Sequence, residues 1–593
     1  MQGVVKDKLS QKDIKGESGD KTRSSLLAVL SLIAIFLIIA LRVVALRSDP
    51  FTRLDWSAGQ VTDEGFYMHN ARNVALFAHA RTDDFNNMLL SPVLHFLQVG
   101  VFKMVGSGSV QARMISVVFS LLSLWIFWQA MLQAFGKRIA LTALIFLGLD
   151  HTNLLFNRMA LMDTPAMLPA VAAFYFWVRF AHRDQEMRSN GWLIALGIML
   201  GLTVVSRTLC IYLLPVPFVA LWIHLDYGKR QERFRAMLSV AAGIAVVFGI
   251  YGALWYLPHH AEISRMAAYY SREQMQPRSL FKLVSNMSQA VFGDHRGMAP
   301  YLFRHTPILF GLIILALVRA CMDFRRWRFS ASENAGAGSQ SSVTECYLSL
   351  WFVLGYAMLA VISYSPARYY VTTYPALCAI AAITLWRIPE IFSRLSHGDR
   401  KARIVRAVLM AYLCYHTLDA IIHYGGTLPF YLSVIIICFT PLIAGTIAYR
   451  IRWIAIKKSL IITLLGLWAI VNFGWLARWG LNLQYTQYDM SRWLANNLTQ
   501  NSVLIGDLAP GLSLDNAFEV MHVQKGLCND VQPVERYAGR PRYILILDGR
   551  WKEEWWIKHY PRLVSPRKRI KLVRVLKWDV GVYSVPPPVR RNR

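Results

Sequence analysis

The fold of this 593-residue chain is decided by long apolar stretches such as residues 191–224, GWLIALGIMLGLTVVSRTLCIYLLPVPFVALWIH. The only ionised side chain in this stretch is Arg207. A membrane-spanning helix needs about 20 apolar residues, so the stretch predicts two nearly continuous spans. Similar stretches recur, and together they predict about thirteen spans, at 25–46, 111–133, 138–156, 161–180, 191–206, 208–224, 236–257, 304–321, 345–363, 369–386, 404–423, 429–448 and 458–477.

The composition agrees with an integral membrane protein. Hydrophobic residues make up 55% of the chain and charged residues 17%, with a net charge of +29 and a mean hydropathy of +0.35. These values exclude a disordered chain, which is poor in apolar residues. A soluble protein this basic would suggest nucleic acid as a partner. Here the basic residues lie beside apolar stretches, so we expect the lipid bilayer as the partner and no nucleic acid.

Lysine and arginine set the expected orientation because they are enriched in short cytoplasmic loops. They crowd the amino-terminal tail and every second loop after it, for example at 137–138 and 394–406. An odd number of spans then puts the carboxyl terminus outside. We expect a multi-pass protein of the plasma membrane, which is the inner membrane in a bacterium, with its site and its carboxyl-terminal domain on the outer, periplasmic face.

The expected domain organisation has three parts. A cytoplasmic tail, 1–24, precedes a transmembrane domain, 25–477, and an extracytoplasmic domain, 478–593, follows it. Two long outer loops, 47–110 and 258–303, belong to the transmembrane domain. The last part contains a helix-like stretch and short apolar runs that are typical of strands, at 490–498, 502–506, 543–547 and 580–584. The sequence therefore predicts a polytopic all-α membrane protein with a small carboxyl-terminal α/β domain.

Ionisable residues within or beside predicted spans are the first candidates for a functional site because they are costly to place there. Most of them lie toward the outer ends of the spans, namely Asp150, His151, Arg158, Asp163, Arg207 and Arg368. Each one alone could be a snorkelling side chain or half of a local ion pair. Their shared side indicates a water-accessible polar cavity at the outer membrane face.

The segment after the first span contains an adjacent acidic pair, Asp63-Glu64, followed by Tyr67. Such a pair just outside a first transmembrane helix resembles the GT-C superfamily of glycosyltransferases. Within that superfamily, the chain most resembles the branch of the protein O-mannosyltransferases and the lipid A aminoarabinose transferases.

Three further elements carry the resemblance. Ser91-Pro92 is similar to the proline-led start of a helix on the outer surface, although the family often has two prolines there. Arg158 and Asp163 are similar to the family's Arg-x4-Asp element. The sequence SPARYY, residues 365–370, is similar to its late Pro-x-Arg-Tyr element. The resemblance covers most of residues 25–477 and is weak beyond them.

The resemblance implies a transfer of a sugar from a polyprenyl-phosphate donor to a lipid, glycan or protein acceptor, with inversion at the sugar. Asp63 would be the general base, because a carboxylate can take the proton of an acceptor hydroxyl. Glu64 and Asp163 are the other catalytic candidates. Arginine pairs well with phosphate oxygens, so the phosphate-binding candidates are Arg368, Arg158 and Arg207. The expected substrate cavity is formed by Tyr67, His69, Asp150, His151 and Tyr369.

No cofactor is expected. The histidines show no metal-binding spacing such as HExxH, so no metal site is predicted, although a divalent cation held by carboxylates alone stays open. We expect a monomer.

Several alternatives remain at this point. The Asp63-Glu64 pair could be a solvated turn, and Arg368 could be an interfacial anchor. The closest rival function is an oligosaccharyltransferase or glycan ligase that uses a lipid diphosphate donor. Rivals from other classes are a membrane transporter and an inactive scaffold, but transporters tend to show inverted repeats and sites at the bilayer midplane, which this sequence lacks.

Overall fold

The structure is a computed structural model. It describes residues 29, 31–55, 57–58, 62–79, 89, 91–182, 189–224, 230–271, 279–292, 297–330, 337–396, 411–412, 415, 453–526, 528–537, 539–547 and 551–586. The predicted tail at 1–24 and the predicted span at 429–448 lie outside these residues, and only three positions of the span at 404–423 lie inside them.

The described chain is mostly helical. The α-helices are α1 Ser31–Val43, α2 Thr62–Phe77, α3 Pro92–Val105, α4 Ser109–Leu149, α5 His151–Phe156, α6 Asp163–Ala181, α7 Asn190–Ser206, α8 Pro215–His224, α9 Arg230–Tyr251, α10 His260–Tyr270, α11 Leu280–Phe292, α12 Met298–His305, α13 Pro307–Ser330, α14 Ala337–Val361, α15 Tyr374–Ser396, α16 Trp453–Leu481, α17 Thr486–Asn497, α18 Ala509–Leu512 and α19 Trp551–His559. Short 3-10 helices at Thr208–Leu213 and Ala367–Thr373 precede α8 and α15.

Local sequence explains several helix boundaries. Pro92 is the first residue of α3, where its missing N–H would have had no partner within the helix. Asp150 caps α5 by accepting hydrogen bonds from the backbone N–H groups of Thr152 and Asn153. Gly136 has φ 78° and breaks α4 into two helical halves, which correspond to the second and third predicted spans.

Five helical stretches in the described part of the chain are long and apolar enough to cross a membrane, and five shorter apolar helices accompany them. The predicted membrane protein with many helices is therefore confirmed in its broad outline, and the number thirteen stays a prediction. The most buried of the five stretches is Ala367–Ile391. At the centre of the bundle, α6 packs against α4, α7 and α14, and the Trp177 and Tyr347 rings stack at 5.0 Å.

The carboxyl-terminal domain contains a five-stranded mixed sheet in the order β2-β1-β3-β5-β4. The strands are β1 Val503–Ile505, β2 Glu519–Met521, β3 Arg542–Leu547, β4 Arg569–Val575 and β5 Trp578–Val585. β1 pairs in parallel with β2 and β3, while β5 is antiparallel to β3 and β4. Helices α17 and α18 cover one face of the sheet, and α19 covers the other.

The helix and all three strands expected in this domain are confirmed, and two strands were missed. β2 has three residues and begins with Glu519, so unlike the equally short but fully apolar β1 it forms no apolar run. β4 lies in a strongly basic run, where Arg569, Lys571 and Arg574 mask the alternation of apolar residues between them.

The carboxyl-terminal domain is tied to the first long loop and to α2. The Asp49 carboxylate accepts hydrogen bonds from the backbone N–H and the hydroxyl of Thr486 at 2.8 and 2.6 Å, and from the N–H of Gln487 at 3.0 Å. On α2, Gly65 faces α18 so closely that a Cβ atom there would lie 2.2 Å from the backbone nitrogen of Gly511. This contact requires glycine at position 65.

We expect Gly65→Ala to destabilise the protein by about 1–3 kcal/mol, because the added methyl group must separate α2 from α18. Unfolding of the detergent-solubilised protein would measure the change. The matched control is Gly466→Ala in α16, where a Cβ atom would have nothing within 4 Å and should be neutral or stabilising by up to about 1 kcal/mol. Equal stability of the two variants would contradict the close packing of α2 and α18.

Candidate active site

The centre of the site is an ion pair between Asp63 and Arg368. Oδ2 of Asp63 lies 2.5 Å from Nη1 of Arg368. Asp63 lies in the first turn of α2, where a helix favours negative charge. Arg368 is held by the 3-10 helix Ala367–Thr373, all of whose residues are buried. The side chain of Asp63 is 17% exposed and that of Arg368 is 4% exposed, so the carboxylate is the more accessible partner.

A second pair of opposite charges lies beside the first. Nε of Arg207 is 3.1 Å from Oδ1 of Asp163, and both side chains are buried. The guanidinium carbons of Arg207 and Arg368 lie 4.4 and 5.3 Å from the centre of the Tyr369 ring. Tyr369 therefore brings two cations to one place, since an aromatic face attracts each of them.

Tyr67 completes the cluster. It follows Asp63 by one turn of α2, so the two side chains share a face of that helix. Its hydroxyl interacts electrostatically with Asp63, Arg207, Arg368 and Tyr369. Burial raises the pKa of the Asp63 carboxyl, and the neighbouring Arg368 opposes the rise. Burial also raises the pKa of the Tyr67 hydroxyl, which stays protonated and can only donate or accept hydrogen bonds at neutral pH.

Five buried polar atoms of this cluster make no hydrogen bond among the described residues. Two of them, Nε of Arg207 and Oδ1 of Asp163, face each other in the ion pair. The other three are Nη2 of Arg207, Nε of Arg368 and Oδ2 of Asp163. Buried charged groups are usually satisfied. Two guanidinium groups with unused N–H donors are suited to an oxyanion with several acceptor oxygens, such as a phosphate.

Asp55 supports the site and was missed by the sequence analysis. One carboxylate oxygen accepts hydrogen bonds from the backbone N–H groups of Ser57 and Ala58, at 2.8 and 2.7 Å. The other accepts the N–H of Ala367 at 3.0 Å, so Asp55 fixes the residue that precedes Arg368. The Asp-x-Ser pattern is typical of a turn closed by its own side chain, and that signal could have identified the turn but not the distant partner.

The structure places Glu64 apart from Asp63. Its carboxylate oxygens lie 2.8 and 2.5 Å from Nε and Nη2 of Arg113, and one of them also accepts the backbone N–H of Ala160 at 2.8 Å. Arg113 in turn donates to the carbonyl oxygens of Leu46 and Ser48. Glu64 therefore joins α2, α4 and the loop before α6. Both of its carboxylate oxygens are used in these contacts, which indicates a structural role.

Arg158 does not join the other two arginines. Its guanidinium donates to the carbonyl oxygens of Leu41, Val44 and Ala45 at 2.5, 2.5 and 3.1 Å, at the end of α1. It also lies 4.5 Å from the centre of the Trp479 ring. The N–H donors of Arg158 are therefore used by backbone carbonyl groups. Arg158 does not share the surroundings of Arg207 and Arg368, the other two phosphate-binding candidates.

Asp150 and His151 form a different cluster. Asp150 caps α5, and Nδ1 of His151 lies 2.9 Å from the Asn472 side-chain oxygen. The His151 ring stacks on Trp475 and lies next to His305, whose Nδ1 is 3.2 Å from its Nε2. His151 thus joins α5 to α16 and α12, Asp150 serves as the cap of α5, and these contacts involve no member of the Asp63 cluster.

His69 points toward the carboxyl-terminal domain. Its Nδ1 lies 3.2 Å from the carbonyl oxygen of Phe66, and its ring centre is 6.3 Å from that of His522. In the described ranges, no group of three or more His, Cys, Asp or Glu side chains is arranged to hold a metal ion.

The chain is similar to known proteins in part of its sequence and in its fold. A family model described as dolichyl-phosphate-mannose-protein mannosyltransferase matches residues 90–255. The structure of ArnT from Cupriavidus metallidurans bound to undecaprenyl phosphate is 16% identical, covers 95% of this chain and 98% of its own, and has a TM-score of 0.55. Its apo structure is 15% identical, covers 94% and 98%, and also has a TM-score of 0.55. No curated protein sequence matches the chain.

These matches confirm the resemblance to the GT-C glycosyltransferases that the sequence elements carry, and they show a GT-C fold over almost the whole chain. The particular similarity is to ArnT in fold and to the protein mannosyltransferases in sequence. An oligosaccharyltransferase from Archaeoglobus fulgidus is also similar, at 11% identity over 88% of this chain and 69% of its own, with a TM-score of 0.49.

We expect Glu64→Gln to destabilise the protein by about 3 kcal/mol, because it removes the carboxylate that binds the buried Arg113 directly. Denaturation in detergent would measure this change. Asp579→Asn is the matched control: its partner Arg574 is 3.6 Å away and both side chains are more than half exposed, so the expected effect is below about 1 kcal/mol. If Glu64→Gln were as stable as the control, the structural role of Glu64 would be wrong.

Proposed function

We propose that the chain is a membrane glycosyltransferase that moves a sugar from a polyprenyl-phosphate carrier to an acceptor hydroxyl at the outer membrane face. The observation that carries this proposal is the pair of buried arginines, Arg207 and Arg368, which meet on Tyr369 beside the carboxylate of Asp63. Cations for a phosphate leaving group and a carboxylate for the incoming hydroxyl are the two requirements of such a transfer.

The donor phosphate would lie between the two arginines. Nη2 of Arg207 and Nε of Arg368 have unused N–H donors, and a phosphate that accepts from both would replace the missing partners. The Asp163 carboxylate binds Nε of Arg207. The opposite side of the guanidinium therefore points away from that carboxylate. As the glycosidic bond breaks, negative charge grows on the phosphate oxygen, and the arginines stabilise it most strongly at that stage.

Asp63 would take the proton of the acceptor hydroxyl while the hydroxyl oxygen attacks the anomeric carbon. A phosphate on Nε of Arg368 would share the charge of the guanidinium with Asp63 on Nη1, so donor binding weakens the ion pair and makes the carboxylate a better proton acceptor while Asp63 stays in place. A single displacement of this kind inverts the anomeric centre. Glu64 takes no part in it because Arg113 and Ala160 already occupy its oxygens.

The proposal includes a location, an oligomeric state and an acceptor class. The basic loops favour a plasma membrane location with the site and the carboxyl-terminal domain outside. The protein would act as a monomer and without a metal ion. The acceptor could be a lipid, a glycan or a protein, and Tyr67 and Tyr369 would line the substrate cavity.

The direct test is to incubate the purified protein with a panel of polyprenyl-phosphate and polyprenyl-diphosphate sugars and to measure release of the lipid phosphate. Release from a monophosphate donor supports the proposal. Release from a diphosphate donor alone would indicate an oligosaccharyltransferase or ligase, and transport of the lipid with no cleavage would indicate a transporter.

We expect Asp63→Asn to lower turnover by about 10²–10⁴-fold, the usual contribution of a general base. Donor affinity should rise, because Arg368 loses its bound carboxylate. In the wild type, turnover should fall as the pH falls through the raised pKa of Asp63, since only the ionised carboxylate accepts a proton, and this limb should vanish in the variant. Near-normal turnover of Asp63→Asn would exclude Asp63 as the base.

We expect Arg368→Ala to weaken binding of undecaprenyl phosphate by about 1.5–3 kcal/mol, the value of a charge-assisted hydrogen bond. Arg368→Lys should restore only part of the affinity, because lysine keeps the charge and loses the planar fork. Arg158→Lys is the matched control, since Arg158 contacts backbone carbonyl groups at the end of α1. Unchanged affinity in Arg368→Ala would make Arg368 a structural anchor for Asp63 only.

A further inference from the structure

The helix that carries Asp63 is bound from its other end by the carboxyl-terminal domain. Nη2 of Arg72, on α2, donates to the backbone carbonyl oxygens of Asn516 and Phe518, at 2.7 Å each. Arg72 is 1% exposed. These contacts join residues separated by more than 440 positions in the sequence, so they are tertiary contacts between the two domains.

The segment that Arg72 binds is itself rigidly held. The Asn516 side chain donates to the Ser491 hydroxyl at 3.0 Å and accepts the backbone N–H of Phe518 at 3.1 Å. Ser491 belongs to α17, and Phe518 precedes β2, whose residues are all buried. The carbonyl groups therefore present a fixed target to α2.

Two more contacts lie between Arg72 and Asp63 along the same helix. Gly65 packs on the backbone of Gly511, and the Phe66 ring lies 5.4 Å from that of His522, in an edge-to-face arrangement. Asp63 and Arg72 are nine positions apart, which is roughly 14 Å along a helix axis. The domain thus contacts α2 along the whole distance from its arginine to its first turn.

We propose that Arg72 is a positioning residue for the transfer reaction: by binding the carbonyl groups of Asn516 and Phe518, it makes the carboxyl-terminal domain hold α2 so that Asp63 stays against Arg368. The inference rests on the proposed function for the reaction and on the contacts alone for the holding of α2. The carboxyl-terminal domain would then help to position the general base, whether or not it also binds the acceptor.

The position of Asp63 relative to Arg368 depends on the position of α2. Asp63 lies in the first turn of α2 and faces Arg368 through a charged contact. A helix rotates and shifts as a unit, so a contact at Arg72 restrains Asp63. A displacement of about 1 Å can lower turnover by about a hundredfold.

The test combines hydrogen exchange with turnover in Arg72→Lys, which keeps the charge but has a shorter side chain, so its nitrogen does not reach the position from which Nη2 contacts both carbonyl oxygens. Amide exchange in residues 62–77 should be about tenfold faster than in the wild type, because one charge-assisted contact is lost. Turnover of the donor that the wild type cleaves should fall by about tenfold or more, and affinity for undecaprenyl phosphate should be unchanged, since both Arg207 and Arg368 remain.

The matched control is Arg542→Lys. Arg542 is also buried and also donates to two backbone carbonyl groups, those of Val534 and Pro586, but both lie within the carboxyl-terminal domain. It should leave exchange in α2 and turnover as in the wild type. Should Arg72→Lys not fold, Gly65→Ala replaces it, because it separates α2 from α18 with Arg72 intact.

The inference is wrong if α2 exchanges at the wild-type rate in Arg72→Lys, or if Arg542→Lys speeds its exchange equally, since α2 would then respond only to the stability of the domain. If the wild type cleaves no polyprenyl-phosphate sugar, the proposed function fails, and the exchange comparison still decides whether Arg72 holds α2.

Discussion

The ion pair of Asp63 and Arg368 is the constraint on which the rest of the structure depends. It joins the first turn of α2 to the 3-10 helix before α15, across 305 positions of sequence. Charged groups are rarely buried unless they are paired, so two distant segments must be brought together before either side chain can leave water. Asp55 secures the same junction through the backbone of Ala367, and Asp163 supplies the matching partner for Arg207.

Much of this architecture could be predicted from sequence because it depends on simple quantities. The apolar stretches predicted the helices because they are longer than the core of a soluble protein requires. Strands could be predicted in the runs at 502–506, 543–547 and 580–584 because short apolar segments between turns are typical of strands. Shared placement at one end of the spans grouped six residues, of which the structure brings Asp163, Arg207 and Arg368 together. The acidic pair was located by its resemblance to a family, whose sequence elements lie in the described structure at α2, α3, α6 and the 3-10 helix Ala367–Thr373.

The rest could not be predicted because it depends on which side chain reaches which partner. Arg158 and Arg207 have the same residue type and similar placement, but Arg158 meets free carbonyl groups at the end of α1 and Arg207 meets a carboxylate. Asp150 and His151 are polar residues at a junction between helices, where a helix cap and a stack with Trp475 use them. Asp55 shows the reverse case, since its local turn is visible in sequence and its bond to Ala367 is not.

The contacts between α2 and the carboxyl-terminal domain can form only late in the synthesis of the protein. Asp49 and Arg72 are synthesised early, and their partners at Thr486, Asn516 and Phe518 come last. At the usual pace of protein synthesis, the ribosome needs roughly 20–90 s to make the chain between Arg72 and Phe518. During that interval α2 lacks its contacts with Asn516 and Phe518. Once Tyr369 has been made, the nascent chain carries all the residues of the candidate site, while the partners of Arg72 at Asn516 and Phe518 are still to come. A chain that ended before Thr486 would contain these residues without the contacts that hold α2.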